Sequence, residues 1–367
     1  MGPFDFLVVG CGFSGATLAE RLANVLGMRV CLIDRRNHIG GNAGDTYDTS
    51  GILIHRYGPH IFHTDDGEVF RYLSNFTGWL FYEHRVRASL GGELLPIPIN
   101  LDTVNRLYGL GLDSRGLEEF FDSVRERITA PKNSREMVTS QVGLDLYEKF
   151  FKNYTEKMWG MDPGELSPEV TGRIPVRMNR DDRYFTDRYQ FMPDKGYTTL
   201  FQKMLEGKGI QLLLDTDFSD IRGKIEAKRI IYTGPLDEYF DYSLGKLPYR
   251  SLDFRFENLE EEWHQPVAVV NYPGFQDYTR VTEYKHLTGQ NYPHTTISYE
   301  YPRGEGDPYY PVPTPGNEEL SNRYRMMANN EKNTYFAGRL AEYRYYTMTD
   351  VVRRALDLFE VIKKEVK

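Results

Sequence analysis

Six residues near the start of the chain constrain it more than any others. Gly10-Cys11-Gly12-Phe13-Ser14-Gly15 is a G-x-G-x-x-G turn. An apolar run, Phe4–Val9, leads straight into it, as a strand buried on both faces would. Residues 16–26 repeat apolar side chains at helical spacing, and Val30–Ile33 reads as a second buried strand. Asp34 closes that strand, nineteen positions after Gly15. Each part has a physical task. Glycine lets the backbone turn tightly and approach a pyrophosphate. The helix N-terminus offers unbonded N–H groups to it, and the acid holds ribose hydroxyls. The turn alone is a weak sign, but strand, turn, helix, strand and acid in this order describe a dinucleotide clamp.

The residues that follow bear on which dinucleotide. The stretch from Arg35 through Gly40-Gly41-Asn42 puts a second glycine pair just after the acid. An ordinary glycine turn is one reading. The other is more backbone packed around a cofactor larger than NAD, and FAD is the expectation. The remaining close glycine pairs, Gly109 with Gly111 and Gly304 with Gly306, neither follow a buried strand nor open a helix. No NADPH site is therefore expected, and any reduction of the flavin needs an external reductant.

At 367 residues the chain is too long for one ordinary core, and two or three packed subregions are expected. Residues 1–78 read as the first part of an FAD-binding domain. Residues 79–98 read as a hairpin turning at Gly91-Gly92. Residues 99–170 read as an inserted helical subdomain, with Asp102, Asp113, Ser114 and Ser134 as candidate N-caps. Residues 171–195 read as a mobile substrate loop with sheet strands, 196–234 as a second part of the FAD-binding domain, 235–315 as an antiparallel sheet subdomain and 316–367 as a third part. The fold class is thus α/β, a discontinuous Rossmann-like domain interrupted by a helical and an antiparallel sheet subdomain. Net charge −8 argues against nonspecific nucleic-acid binding, and no apolar run is long enough to span a membrane. With a strand starting almost at once and two cysteines in the clamp, no leader and a cytoplasmic location are expected.

Because the overall charge is negative, local arginines carry more meaning. Phe150-Phe151 precede Tyr154-Thr155-Glu156-Lys157-Met158-Trp159. Arg173 precedes Tyr184-Phe185; Asn271 precedes Arg280; Tyr310 and Arg339 precede Tyr345. Aromatic rings stack on bases, and arginine forks grip phosphates. Together they suggest a nucleotide-diphosphate ligand in addition to FAD, although core packing explains any single tyrosine and a surface ion pair explains either Arg173 or Arg280. His55, His60 and His63 cluster without the spacing of a zinc motif, so no metal is expected.

Longer motifs carry a family. RRNHIGGNA, YGPHIFHT, YTEKMWG, RIPVR, RYFTDRYQ, IIYTGPLDEYFDY, GDPYYPV and AGRLAEYRYY spread over nearly the whole chain. On them the chain resembles the bacterial UDP-galactopyranose mutases. The resemblance implies an isomerase that interconverts UDP-galactopyranose and UDP-galactofuranose for cell-wall polysaccharide, without net redox but with reduced FAD. In that family the flavin N5 attacks the anomeric carbon, UDP leaves, and a flavin–sugar iminium opens and recloses the ring. By motif, Arg173 and Arg280 would bracket the diphosphate while Tyr310 and Tyr345 hydrogen-bond to it. With His63 these are the expected catalytic residues. Phe150, Phe151, Tyr154, Thr155, Trp159, Tyr184, Phe185, Asn271 and His84 would complete the substrate site. FAD would contact Gly10, Gly12, Phe13, Ser14, Gly15, Asp34, Arg35, Gly41, Asn42, His60, Ile61, Asp217, Gly234, Gly338, Arg339 and Met348. Residues 162–180 resemble the family's mobile loop. Thr347 and His84 depart from residues common in the family, which leaves the sugar open: UDP-N-acetylgalactose is an alternative. An amine-oxidase-like FAD oxidoreductase and a non-catalytic nucleotide-sugar sensor are others. A homo-oligomer such as a dimer is expected.

Overall fold

The computed structural model describes residues 3–366. Phe4–Val9 forms strand β1 and Val30–Ile33 forms strand β2. They sit in the middle of a five-stranded parallel sheet ordered Ile210–Leu213, β2, β1, Ala227–Tyr232, Thr334–Phe336. The continuous apolar run is explained by burial on both faces. Phe6 and Val8 point to one side, where they meet Leu18 and Leu22 of the first helix and Ala355, Phe359 and Ile362 of the C-terminal helix. Leu7 and Val9 point to the other, against Phe218, Tyr232 and Tyr239.

The first helix, α1, spans Phe13–Leu26 and so begins inside the glycine turn, not at residue 16. Gly12 is its extended N-cap and offers no side-chain acceptor. The first N–H groups of α1 therefore lack a capping side chain, as an anion site needs. Gly27 ends α1 in the left-handed region.

The second large element is a seven-stranded sheet, ordered Tyr310–Pro311, Tyr249–Leu259, Thr295–Arg303, Arg280–Glu283, Val269–Asn271, Val86–Leu90, Glu93–Ile97. It is not wholly antiparallel: Val269–Asn271 pairs parallel with Val86–Leu90. Gly91 and Gly92 both have positive φ, as a two-residue hairpin turn matched to strand twist requires. The hairpin is shorter than residues 79–98, because Trp79–Phe81 joins a separate sheet with Phe62–Thr64 and Tyr189–Pro193. Strand periodicity shows which residues are extended but not which partner they choose.

Between the sheets, residues 101–172 hold helices and no strand. Asn100, Asp113 and Asn133 are the caps, each accepting from the backbone N–H three residues on. Asp102, Ser114 and Ser134 lie one or two positions inside their helices, since a cap needs extended backbone and these residues are already helical. Residues 147–152 form a π-helical turn that leads into helix α2, Asn153–Trp159. The sheet region also contains the start of another helix, Pro315–Asn330, capped by Thr314.

Candidate active site

A groove runs along the carboxyl ends of the parallel strands, where open α/β sheets bind ligands. Of the expected FAD contacts, fourteen line it, from Asp34, Arg35 and Asp217 at one end, past Gly12, Gly41 and Gly338, to His60, Arg339 and Met348 at the other. Its walls leave no room for larger residues. A Cβ on Gly41 would lie 2.8 Å from the Gly12 Cα, and one on Gly338 would lie 2.6 Å from Ser14 Oγ. The Ser14 hydroxyl is buried without a partner beside the α1 N-terminus. Asp34 accepts from Cys11 N at 2.7 Å and from Arg36 N at 2.9 Å. The same carboxylate that is expected on a ribose thus also holds the glycine turn in shape. The donor-rich turn, the absent side chains and the orphan hydroxyl fit an extended dinucleotide.

Two expected contacts are not in the groove wall. Gly15 lies behind it: a Cβ there would meet the Gly10 carbonyl oxygen at 1.8 Å, so its role is close packing of turn on helix. Ile61 packs against the adjoining core. Arg36, Thr347, Tyr309 and Glu238 line the groove and were not expected there. Arg36 and Tyr309 stood inside quoted motifs, and sequence spacing could not show that they turn inward. Asp307 bridges the groove mouth, 2.8 Å from Arg35 and 3.3 Å from Arg36.

At the Arg339 end the groove meets a second cluster. Tyr310 and Tyr345 stack with ring centres 5.5 Å apart. Arg339 lies 5.1 and 5.3 Å from those two ring centres, and Arg173 lies 4.3 Å from the Tyr345 ring. Burial disfavours the Tyr345 phenolate, but Arg173 and Arg339 outweigh it and hold the pKa below the ordinary tyrosine value. Burial and the neighbouring Tyr345 raise that of Tyr310. Tyr345 and Arg173 are nonetheless exposed, so they are surrounded by protein yet open to solvent, as walls of a cleft are. Strands β3, Val269–Asn271, and β4, Arg280–Glu283, pair with Asn271 opposite Arg280. Arg280 Nη2 donates to Tyr154 Oη at 2.8 Å, and its Nε lies 3.3 Å from Glu300. Nε is buried and out of line for a hydrogen bond. Burial opposes the charge of Arg280, yet Glu300 and Tyr154 hold its pKa well above the ordinary value.

His63 stacks on Phe185 at 3.5 Å and pairs with Asp187 at 3.0 Å. His84 lies against the other partners of this layer, 5.9 Å from Phe185 and 5.8 Å from Tyr184. His60, not His63, reaches the cofactor groove. Phe150, Phe151 and Thr155 are buried, the two phenylalanines in the main core. Trp159 is buried beside Leu252 and Tyr309, with its ring 6.4 Å from Tyr310. The expected aromatic lining is therefore largely a packed wall behind the cleft.

The expected mobile loop is anchored over its first half. Leu166 and Val170 are buried, Ser134 donates to Leu166 O and Ser167 O, and Thr171 donates to Ser134 O. These contacts join residues far apart in sequence, which is why a Gly- and Pro-rich composition suggested looseness. From Arg173 onward the segment is more exposed.

Buried histidines make stability depend on pH. Burial pushes His55 down to about 4 and His84 to about 3. An unfolded histidine takes its proton near pH ~6.5. Below that value the unfolded state binds more protons than the folded one, so stability is full above pH ~6.5 and falls as the medium is acidified. Each histidine should contribute a slope of about 1.4 kcal/mol per pH unit within this window. Denaturant melts between pH 7 and 5 should show the loss, and His55→Gln should flatten the curve by one proton.

A dinucleotide groove ending at an arginine- and tyrosine-walled cleft defines an enzyme that acts on a small anionic molecule beside a bound cofactor. A family model described as an NAD(P)-binding Rossmann-like domain matches residues 8–76, and one for UDP-galactopyranose mutase matches residues 149–345. The chain is 39% identical to a probable UDP-galactopyranose mutase of Klebsiella pneumoniae, over 97% of this chain and 94% of that protein. It is 36% identical to a dTDP-fucopyranose mutase of Escherichia coli, over 98% and 99%. A crystal structure of reduced UDP-galactopyranose mutase shares the fold with a TM-score of 0.78 at 17% identity, covering 98% of this chain and 96% of that one. The chain belongs to the UDP-galactopyranose mutase family, whose members are flavin-dependent mutases.

Proposed function

We propose that this enzyme holds FAD noncovalently in the groove and, with the flavin reduced, interconverts UDP-galactopyranose and UDP-galactofuranose. The observation that carries this reading is the convergence of Arg173 and Arg339 on the stacked Tyr310–Tyr345 pair at the end of the groove. Reduced flavin would supply the nucleophile for the anomeric carbon. The Gly10–Gly41 cradle and the α1 N-terminus would hold its pyrophosphate, Asp34 its ribose, and His60, Arg339 and Met348 would lie along its ring. Arg173 and Arg280 would carry the leaving diphosphate, with hydrogen bonds from Tyr310 and Tyr345. Because these groups are already oriented by each other, little reorganisation is needed when charge develops on the departing UDP.

Dithionite-reduced enzyme given UDP-galactofuranose should yield UDP-galactopyranose on chromatography, and the oxidised enzyme should not. Turnover with oxygen consumption would overturn the reading in favour of an oxidase. A second substrate is favoured by the Escherichia coli relative named dTDP-fucopyranose mutase. Exchange of dTDP-fucopyranose faster than of the UDP sugar would select it, and UDP-N-acetylgalactose belongs in the same assay. We further propose that an external reductant serves the flavin, that the enzyme works in the cytoplasm as a homo-oligomer such as a dimer, and that its product feeds cell-wall polysaccharide. Among the described residues no helix is long and apolar enough to cross a membrane.

Arg173 gains a phosphate partner only when UDP is bound, so UDP should hold the exposed segment after it in place. Trypsin cleavage at the exposed Arg180 should slow with UDP in the wild type and slow much less in Arg173→Ala. Equal protection in both would remove Arg173 from that role.

A further inference from the structure

Helix α2 touches the β3–β4 hairpin at two points. One is the Arg280–Tyr154 hydrogen bond across the cleft. The other lies one helical turn further on. The Lys157 ammonium donates to three backbone carbonyls of the connection between the strands: Tyr272 O at 2.6 Å, Gln276 O at 2.9 Å and Tyr278 O at 2.9 Å. An ammonium has three N–H groups, and all three are used. At its C-terminal end the Tyr278 ring packs edge-on against Tyr272 and Tyr299, and Lys157 is the side chain that ties all three of these carbonyls to the helix. Tyr272 N donates to Thr279 O at its base, whereas Phe275 at its tip is fully exposed. Lys157 is half-buried, and burial pushes its pKa down to about 8 with Asp277 opposing, so the clamp is charged at neutral pH.

The hairpin carries Asn271 and Arg280 at the two ends of this connection. Helix α2 carries Tyr154 and Trp159 on either side of Lys157. We infer that Lys157 is a positioning residue for the nucleotide-diphosphate subsite: by clamping residues 272–278 to α2 it sets Arg280 against Tyr154 and so fixes where the diphosphate sits. This rests on the functional reading above. Arg280 reaches its ligand from a strand end, and although Thr279 N donates to Glu300 O beside it, the turn between Tyr272 and Tyr278 is joined to α2 through Lys157, so its loss lets that end of the hairpin shift against Tyr154. A misplacement of about 1 Å at such a contact is enough to lower rate or affinity by orders of magnitude.

Holoenzyme with the flavin bound is the material for the test, and UDP is the probe. In Lys157→Met the Kd for UDP should rise about tenfold, with KM following, while bound flavin and its absorption spectrum stay unchanged. Lys157→Arg, which keeps charge and donors, should recover most of the affinity. In an Arg280→Ala background, Lys157→Met should add almost nothing, because the residue acts through Arg280. Full additivity of the two substitutions would show general loosening instead and overturn the proposal. If Lys157→Met melts too low to assay, Lys157→Gln in the same cycle decides the matter. A wild type that binds UDP and a Lys157→Met that binds it equally would overturn the role of Lys157 alone. A wild type that binds no UDP would overturn the functional reading, and the proposal with it.

Discussion

Arg280→Ala is expected to lower turnover about 30- to 1000-fold, the effect of losing about 2–4 kcal/mol of charge-assisted contact to a leaving diphosphate. Two losses combine in this variant. The ligand loses a guanidinium that already donates to Tyr154. Glu300, buried at the next strand, loses the cation that offsets its burial, and its pKa, already raised by burial, should rise further. Arg280→Lys separates the two: it keeps a charge near Glu300 but not the planar fork. Steady-state rates with dithionite-reduced protein measure both variants. Near-normal turnover in Arg280→Ala would reduce Arg280 to an ion-pair partner of Glu300.

Gly15→Ala is expected to abolish cofactor binding outright. Its Cβ would stand 1.8 Å from the Gly10 carbonyl oxygen and 3.0 Å from the Gly10 carbonyl carbon. Both are backbone atoms, so no side chain can move aside, and the turn must open. Opening it displaces the α1 N–H groups and the Cys11 amide that Asp34 holds. The purified variant should be colourless and should not recover colour with added FAD. Gly27→Ala is the control. Gly27, unlike the helical Gly15, has a left-handed backbone, but nothing lies within 4 Å of its added Cβ. That change should cost about 1 kcal/mol through backbone strain and leave the bound flavin unaffected. A yellow Gly15→Ala would mean that the turn is more pliant than its packing implies.

The contrast between these glycines shows where sequence reading is strong. The clamp was legible because its parts are local: a buried strand, a turn that only glycine permits, a helix start and an acid all lie within thirty-one residues, Phe4 to Asp34. Even there apolar periodicity places the helix start at residue 16, whereas α1 begins within the turn, where glycine spacing hides the period. The substrate residues were legible as motifs, but their roles divided only in three dimensions. Phe150, Phe151 and Trp159 became packed wall, whereas Tyr310, Tyr345 and Arg173 became cleft surface. Aromatic side chains serve a core and a stacking site equally well, so residue type could not separate them.

Local chemistry by itself determined that this chain binds a dinucleotide at its N-terminal unit, and its motifs tied it to one family of mutases. Tertiary structure alone decided which distant segments meet. It brought Arg173 over the Tyr345 ring from 172 positions away, placed Asn271 opposite Arg280, and paired Trp79–Phe81 with Tyr189–Pro193 and not with its neighbouring hairpin. It also anchored Leu166 and Val170 beneath a segment whose composition reads as loose, and laid the Lys157 ammonium across three carbonyls more than a hundred residues away. The physical reason is the same in each case. Dihedral preference and periodicity act over a few residues, whereas the partner of a buried charge or a sheet edge is chosen by the packing of the whole chain.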